Sequence, residues 1–192
     1  MNIIILSDIH DHVWALRAIL HSHEAAASDE MICCGDLCAP FIIDLLAEFG
    51  KPVHMVLGNN DGDVAAMISK LPNYPQIKIH GEYFRGELDG KTFAVNHYPD
   101  KAQKLADLQQ YDVVCYGHDH QAKAGHSGKT LLLNPGAVMG FHGPTLSSLP
   151  HSFMTLDTEN LEVHAYTVAG FEKDPEQARV NIWEQYSMAA LV

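Results

Sequence analysis

Short apolar segments that end in polar residues recur along the chain. Six of them, each three or four residues long, are continuous enough to predict strands buried on both faces. They occupy residues 3–6, 31–34, 54–57, 93–95, 113–116 and 131–133. Helical periodicity between them predicts helices over 13–27, 40–49, 61–71 and 99–110. Asp61 is expected to cap the third helix.

Three further segments contain turn residues between strand-like runs and predict β-hairpins. They cover residues 77–96, 121–133 and 152–168, with turns at Asp89-Gly90, Ser127-Gly128 and 157–160. We expect these hairpins to supply a second sheet. Residues 174–188 are amphipathic and predict a helix packed on the body of the protein or on another subunit. The expected organisation is a main domain over 1–168 and a C-terminal extension over 169–192.

The polar residues that follow the six apolar segments are candidate ligands for metal ions. They are Asp8 and His10, Asp36, Asn59 to Asp61, His97, His118 with His120, and Asn134-Pro135-Gly136, in the order of the segments. In open α/β sheets, ligand sites gather at the carboxyl ends of the strands. The sequence therefore predicts one site assembled from six separate loops.

The types and spacing of these residues favour transition metals. Asp8 and His10 are two residues apart, as are His118 and His120, so in extended backbone both members of each pair point to one side. Carboxylates and neutral imidazoles are ligands for Zn, Mn, Fe and Ni, whereas calcium draws mostly on oxygen. Seven of these residues exceed what one ion usually takes from protein, which indicates two metals; they are Asp8, His10, Asp36, Asn59, His97, His118 and His120. Taken singly, Asp8 and Asp36 could equally be helix caps.

A family resemblance rests on the order of these motifs. Asp8-x-His10, Gly35-Asp36, Gly58-Asn59-x-Asp61, His97 and Gly117-His118-x-His120 resemble the calcineurin-like metallophosphoesterases, particularly the small members without a cap domain. The resemblance implies an α/β fold, namely a four-layer αββα sandwich of two mixed sheets flanked by helices, with a dinuclear metal site at the sheet edge. It also implies the ligands of each metal. These are Asp8, His10, Asp36 and His120 for one ion, and Asp36, Asn59, His97 and His118 for the other.

One position departs from the family pattern in a way that affects catalysis. Relatives often carry His, a proton donor for the leaving group, where this chain has Asn60. An amide donates hydrogen bonds but gives up no proton near neutral pH. We expect Asn60 to orient the phosphate and Asp61 to fix their loop. The proton could come from His12 or His142, although a surface role is the more common one for such histidines.

Composition limits the classes of partner. The chain has 192 residues and a formal net charge of −12, which argues against a nucleic-acid partner because a phosphate backbone must be matched by Lys and Arg. No apolar stretch approaches the roughly 20 residues of a membrane span, so we expect no membrane contact and a cytoplasmic location. The four cysteines are expected to be free thiols, mostly buried, and Trp14 is expected to pack in the interior.

The predicted function is that of a dinuclear metal-dependent phosphoesterase, with two divalent ions among Mn, Fe, Ni and Zn. The ions, Asp8, Asp36 and a bridging hydroxide sum to about +1, which favours a singly charged phosphodiester as the small substrate. The hydroxide would attack phosphorus in line. The alternatives are a phosphomonoesterase, a nucleotide pyrophosphatase or a non-enzymatic scaffold of the same fold. A homo-oligomer is also an open possibility.

Overall fold

The computed structural model describes residues 1–171 and 177–183, and its larger sheet is built around the first apolar segment. Seven strands form this sheet. They are β1 (Asn2–Leu6), β2 (Glu30–Cys33), β3 (Val53–Met55), β4 (Ile77–Ile79), β12 (His151–Asp157), β13 (Glu162–Ala169) and β14 (Arg179–Ile182), in the spatial order β14-β13-β12-β1-β2-β3-β4. Strands β1 to β4 are parallel, and β12 to β14 add antiparallel pairings.

A second sheet of five strands packs on the first. It contains β5 (Tyr83–Leu88), β6 (Lys91–Asn96), β7 (Val113–Cys115), β8 (Lys123–Ser127) and β9 (Thr130–Asn134), in the order β5-β6-β7-β9-β8. The three central strands are parallel, and the edge strands pair with them in antiparallel fashion. A two-stranded ribbon of β10 (Phe141–His142) and β11 (Ser147–Ser148) stands apart from both sheets.

Strand β1 shows why its sequence must be apolar throughout. Ile3 and Ile5 are fully buried between the two sheets, where they join a cluster that includes Phe93 of the second sheet. Ile4 and Leu6 point to the other face and are equally buried under helices. Successive side chains of a strand alternate between its faces, so a strand covered on both sides has no solvent-facing position left for a polar residue.

Helices cover the outer face of each sheet. They are α1 (Val13–Leu20), α2 (His23–Ala27), α3 (Ile42–Leu46), α4 (Val64–Lys70) and α5 (Pro99–Asp107), with short 3₁₀ turns at Ala47–Phe49, Leu71–Asn73 and Gly143–Thr145. Leu16 and Ile43 belong to the cluster on the first sheet, whereas Leu105 packs with Val114 and Leu132 on the second. The order helix, sheet, sheet, helix confirms the predicted four-layer sandwich of two mixed sheets.

The predicted helices exist, but their bounds differ. The helix expected over 13–27 is broken, because the Ser22 hydroxyl accepts a hydrogen bond from the Ala25 backbone N–H and caps a new helix. Helix α4 is capped by Asp63, whose carboxylate accepts from the Ala66 N–H, so the assignment of Asp61 as its cap was wrong. None of the helices in the described part of the chain is long and apolar enough to span a membrane.

The placement of the hairpins also differs from the expectation. The hairpin of β12 and β13 joins the first sheet, where β12 pairs with β1, and does not contribute to the second sheet. Residues 77–79 likewise form β4 in the first sheet, so only β5 and β6 make the first predicted hairpin. Arg179–Ile182 form strand β14 where a helix was expected. Residues 174–176 and 184–188 of that expected helix lie outside the described residues. The division at residue 168 stays a prediction.

Candidate metal centre

The loops after three strands, β1, β2 and β7, are hydrogen-bonded to one another at one edge of the sandwich. The backbone N–H of Asp8 donates to Gly35 O, and that of His10 donates to Asp36 O, each at 3.0 Å. Across the two sheets, the His118 N–H donates to the Asp8 carboxylate oxygen Oδ2, also at 3.0 Å. Loops that are far apart in the chain are therefore held together by hydrogen bonds within the protein.

Two glycines allow these loops to approach closely. A Cβ atom at Gly117 would overlap the Ser7 hydroxyl oxygen, and one at Gly58 would overlap the Asp36 oxygen Oδ1. Neither neighbour is an end of a long flexible side chain that could move aside. The glycines of the Gly-His and Gly-Asn motifs are thus required by close packing against the carboxylates and their loop.

The backbone of the site residues is left-handed, which the spacing argument did not anticipate. The φ angles are 53° for Asp8, 43° for His10, 58° for Asp36, 75° for His118 and 58° for His120. The left-handed region costs roughly 1–2 kcal/mol for each residue that carries a Cβ, so the fold stores strain here. The two His-containing pairs are therefore not extended, and the expectation that both members point to one side for that reason was wrong.

The first group of potential ligands contains Asp8, His10 and His120. The Asp8 oxygen Oδ1 lies 3.8 Å from His10 Nε2 and 3.2 Å from His120 Nε2. One ligand atom from each residue lies within 4.8 Å of the other two. Asp8 is fully buried, whereas the two imidazoles are half-buried. This spacing lets the three side chains address a single ion.

The second group contains Asp8, Asp36 and His97, all of which are buried. The Asp36 oxygen Oδ2 lies 3.3 Å from His97 Nε2 and 3.4 Å from His10 Nε2 of the first group. Asp36 thus lies between an imidazole of each group. A carboxylate in this position can be shared by two ions.

Carbonyl groups behind the site orient two of the imidazoles. His97 Nδ1 lies 2.8 Å from Cys34 O, and His120 Nδ1 lies 2.5 Å from Phe141 O. Because a carbonyl oxygen only accepts, each Nδ1 must carry the proton and donate it. In the neutral ring the lone pair is then on Nε2, the atom that faces the carboxylates. A hydrogen bond of this kind is the usual support of a metal-binding histidine.

Buried polar atoms without partners indicate what the site would hold. Within the described residues, Asp8 Oδ1, His10 Nε2 and His97 Nε2 are buried and make no hydrogen bond. An unsatisfied buried polar atom costs about 1–3 kcal/mol, so these three atoms of the two ligand groups call for partners. A mixed set of carboxylate oxygens and imidazole nitrogens suits a divalent transition metal. The residues present therefore fit the implied ions.

The electrostatics of the site are those of anions neutralised by cations. Burial raises the pKa of Asp8, but the nearby imidazoles of His10 and His120 outweigh it and lower the pKa to about 2. Burial lowers the pKa of His10, yet Asp36 and Asp8 raise it to about 9. The pKa of His97 is also raised, because Asp36 and Asp8 outweigh its burial. A divalent ion would take over this charge compensation and compete with the ring protons.

The remaining two predicted ligands lie at the mouth of the site. Asn59 and His118 are exposed, and both line the cavity above the carboxylates. The His118 ring is 5.1 Å from the His97 ring, centroid to centroid, whereas the His120 ring is 5.2 Å from the His10 ring. The pair His118 and His120 therefore diverges towards the two groups. Five of the seven predicted ligands converge in the interior, and these two flank them.

Asp61 acts on the backbone of the loops and does not reach the ligand groups. Its carboxylate accepts hydrogen bonds from four N–H groups. The donors are Asp36 N at 3.1 Å, Leu37 N at 2.7 Å, Cys38 N at 3.0 Å and Gly58 N at 2.7 Å. Four donors on one carboxylate hold the two loops that carry Asp36 and Asn59 at a fixed distance. Asp61 is thus a positioning residue, as expected from its loop.

His12 does not face the cavity. Its Nδ1 accepts a hydrogen bond from the Ala15 N–H at 3.2 Å and caps α1. Its ring packs 4.9 Å from the His151 ring and 5.5 Å from the Phe171 ring. Burial lowers its pKa, which suits a neutral ring that accepts a hydrogen bond. The expected catalytic role of His12 lacks support in this geometry, and of the two histidines expected as proton donors only His142 lines the cavity.

The cavity above the ligand groups has a volume of about 560 Å³, within the range of small-molecule sites. Its lining residues are His10, Asp36, Asn59, Asn60, His118, Asp119, His120, Met139, Phe141, His142, Gly143 and Pro144. The apolar wall from Met139 to Pro144 was not assigned from the sequence. The only signal was the density of Gly and Pro after Asn134, which marks an irregular loop. No Lys or Arg is among these lining residues.

The chain is similar in sequence to proteins named as phosphoesterases. The chain is 28% identical over 164 residues to a phosphodiesterase of Methanocaldococcus jannaschii, covering 84% of this chain and 96% of that protein. It is 30% identical over 185 residues to a probable metallophosphoesterase of Bacillus subtilis, covering 95% and 100%.

Solved structures show the same fold. An archaeal phosphodiesterase superposes with a TM-score of 0.77 at 26% identity, covering 87% of this chain and 99% of that one. Vps29 of Entamoeba histolytica, solved with zinc, superposes with a TM-score of 0.65 at 17% identity, covering 95% and 98%, and shares the fold. The model of the calcineurin-like phosphoesterase superfamily domain matches residues 1–161. The chain therefore belongs to the calcineurin-like phosphoesterase superfamily and is a hydrolase of phosphoric esters.

Proposed function

We propose that this protein is a phosphodiesterase that works with two divalent metal ions, among Mn, Fe, Ni and Zn. The observation that carries this proposal is the position of Asp36. Its oxygen Oδ2 lies 3.4 Å from His10 Nε2 on one side and 3.3 Å from His97 Nε2 on the other. A carboxylate that lies between two imidazoles, each from a different ligand group, can bridge two ions. A site for one ion would not need a carboxylate in this position.

The proposed ligands follow from the two groups and the residues at their mouth. Asp8, His10, Asp36 and His120 would hold one ion, and Asp36, Asn59, His97 and His118 the other. Supporting this division, the His118 and His120 rings diverge towards His97 and His10 respectively. Asn59 and His118 are exposed and can complete the outer side of their ion once it is bound.

The charge of the site favours a diester over the alternatives. The proposed ligands include only two carboxylates, so two divalent ions leave a small positive charge that matches a singly charged phosphate. A monoester or a pyrophosphate carries further negative charge. No Lys or Arg lines the described cavity to neutralise it, and the carboxylate of Asp119 borders the cavity. The apolar wall of Met139, Phe141 and Pro144 suits an uncharged organic group.

The residues of the chain bind and orient the substrate. When bound, two divalent ions supply a water acidic enough to attack phosphorus and a positive charge that stabilises the transition state. Asn59 and His118, at the mouth, can donate hydrogen bonds to phosphate oxygens. Asn60 Nδ2 donates to Asp36 Oδ2 at 2.8 Å, so this amide holds a ligand. The organic group of the substrate lies against the apolar wall, which excludes water from the leaving group.

The test compares three substrate classes on protein loaded with Mn or Zn and on chelated protein. We expect bis(p-nitrophenyl) phosphate to be hydrolysed faster than p-nitrophenyl phosphate and faster than a dinucleoside diphosphate, with two ions per chain by elemental analysis. Asp36→Asn should lose at least one ion and more than about a hundredfold in kcat/KM, since a neutral amide bridges two cations poorly. Asp107→Asn, an exposed change outside the site, is the matched control. Faster turnover of the monoester or diphosphate would contradict the diester assignment.

A further inference from the structure

A second concavity borders the site at His10. It has a volume of about 490 Å³ and is lined by His10, Asp11, His12, Val13 and Trp14. His10 also lines the larger cavity of about 560 Å³. The two concavities therefore meet at a residue of the first ligand group. A phosphate bound beside His10 would have space on both sides.

Trp14 is the unexplained residue of this second concavity. The sequence predicts that it packs in the interior, but 57% of its surface is exposed. The buried face of α1 is formed by Ala15, Leu16 and Ile19 among others, so the fold does not use the Trp14 ring for packing. A single exposed apolar side chain needs no explanation by itself. Trp14, however, lines a concavity together with His10, so a ligand bound beside His10 can reach the Trp14 ring.

We propose that Trp14 is the platform for the second ester group of the substrate. The inference rests on the proposed phosphodiesterase function and deepens it. A phosphodiester carries two organic groups on one phosphorus atom. With the phosphate at the ligand groups, one organic group enters the cavity of Met139 and Phe141, and the other passes over His10 onto Trp14.

The charges around Trp14 define the kind of group that it takes. The Asp11 carboxylate is exposed on this side and accepts a hydrogen bond from the Ala39 N–H at 2.8 Å, which fixes its position. His12 caps α1 through a ring nitrogen that accepts, so it offers no counter-charge. A negatively charged group would be repelled by Asp11. The platform therefore selects a neutral, flat, apolar or aromatic substituent, which stacks on indole.

The first test uses p-nitrophenyl phosphodiesters that share a leaving group and differ in the second substituent, methyl or phenyl. Because the stacking surface is lost, Trp14→Ala should lower kcat/KM for the phenyl diester about tenfold. The methyl diester should change less than about twofold. Trp14→Phe should restore most of the phenyl preference. Tyr83→Ala, which removes another partly exposed aromatic, is the control and should keep it. Equal losses on both diesters, or none, would overturn the platform.

The second test does not depend on turnover. The chain has two tryptophans, so Trp183→Phe leaves Trp14 as the single reporter of fluorescence. Diphenyl phosphate added to the zinc-loaded protein should give a saturable change in Trp14 emission, and inorganic phosphate should not. If the parent hydrolyses no diester but this change is seen, the proposed function fails and the platform stands. If diesters are hydrolysed but the emission is unchanged, the platform fails and the function stands.

Discussion

Asn60 donates two hydrogen bonds to the Asp36 carboxylate, one from its backbone and one from its side chain. Its backbone N–H donates to Asp36 Oδ1 and its side-chain Nδ2 donates to Asp36 Oδ2, both at 2.8 Å. The side chain therefore fixes the residue that we propose as the bridge between two ions. It also means that the position at which many relatives carry a proton donor is occupied here by a positioning amide.

Removing the Asn60 side chain should loosen the bridge without removing a ligand. We expect Asn60→Ala to weaken the binding of one ion about 10- to 100-fold, the usual effect of losing a support of a metal ligand. Isothermal titration calorimetry of the chelated protein with Zn measures the affinity for each ion. Asn73→Ala, which changes an exposed asparagine in the 3₁₀ turn Leu71–Asn73, is a control. Unchanged affinity for both ions would show that Asp36 needs no such support.

The lack of a proton donor at Asn60 should appear in the choice of leaving group. General-acid assistance is worth about 10²–10⁴ in rate, so a site without it depends steeply on the acidity of the leaving group. We expect kcat for aryl diesters to fall steeply as the pKa of the leaving phenol rises. His142→Ala, beside the cavity, tests for a substitute donor, and His126→Ala, an exposed residue elsewhere, is its control. A flat dependence in the parent that persists in His142→Ala would contradict the prediction that the site lacks a proton donor for the leaving group.

Replacing Asp61 should lower the free energy of unfolding more than replacing the helix-capping residue Asp63. An Asp61→Asn change replaces one acceptor oxygen with an N–H₂ group that faces backbone donors, and it removes a charge that four N–H groups share. Because a lost hydrogen bond to a charged group costs about 1.5–3 kcal/mol, we expect the free energy of unfolding to fall by about 2–4 kcal/mol. Urea denaturation of the chelated protein gives this value.

The neighbouring Asp63→Asn provides the matched control. Asp63 caps α4 and is exposed, and Asn caps a helix about as well as Asp. Its change in unfolding free energy should stay within about 0.5 kcal/mol. Similar losses for the two variants would mean that Asp61 is an ordinary surface carboxylate and does not hold the loops.

Two histidines away from the site should give the protein a pH-dependent stability. His54 Nδ1 lies 3.0 Å from His80 Nε2, and their rings stack at 5.2 Å between centroids. Burial lowers the pKa of both, and the charge of Lys78 lowers it further, which together outweigh the Glu30 carboxylate 3.2 Å from His54 Nε2. A folded-state pKa below the unfolded value means that the neutral rings are favoured. Their contribution is therefore complete above about pH 6.5 and is lost as the pH falls through the folded-state pKa values.

The measurement is the free energy of unfolding at pH 7.5 and at pH 5.5. We expect the unfolding free energy of the parent, relative to that of His80→Gln, to fall as the pH falls over this interval, because the variant lacks one of the two titrating rings. His126→Gln, with an exposed ring, should keep the slope of the parent. A slope that His80→Gln leaves unchanged would assign the pH dependence to other groups.

The ligand types and the core strands follow from the sequence alone. A run such as Ile3 to Leu6 must be buried on both faces wherever its partners come from, so its role as a central strand is a local property. The polar residues directly after such runs then fall at one edge of the sheet. This is why Asp8 and Asp36, which follow the adjacent parallel strands β1 and β2, could be predicted to meet, as they do in the structure.

Other features depend on contacts that no local pattern contains. Asp61 precedes an amphipathic segment and satisfies the pattern of a helix cap, yet its carboxylate is taken by N–H groups such as that of Leu37, 24 residues earlier. The hairpin of β12 and β13 has the same local signature whichever sheet it joins, and only its pairing with β1 decides. Intrinsic propensity differs little between the alternative placements of such a segment. Hydrogen bonds and buried faces formed in the tertiary structure therefore decide between them.

The exposure of side chains divides in the same way. Sequence periodicity identifies the apolar stripe of α1, but it does not say which apolar residue of the first turn lies outside that stripe. Trp14 is exposed because Leu16 and Ile19 occupy the sheet-facing side, and His12 is turned towards His151 and Phe171 by the capping of the same helix. The sequence by itself determined the kind of fold and the chemistry of the ligands. The tertiary structure decided which side chains face the substrate, since that depends on the direction in which each loop leaves its strand.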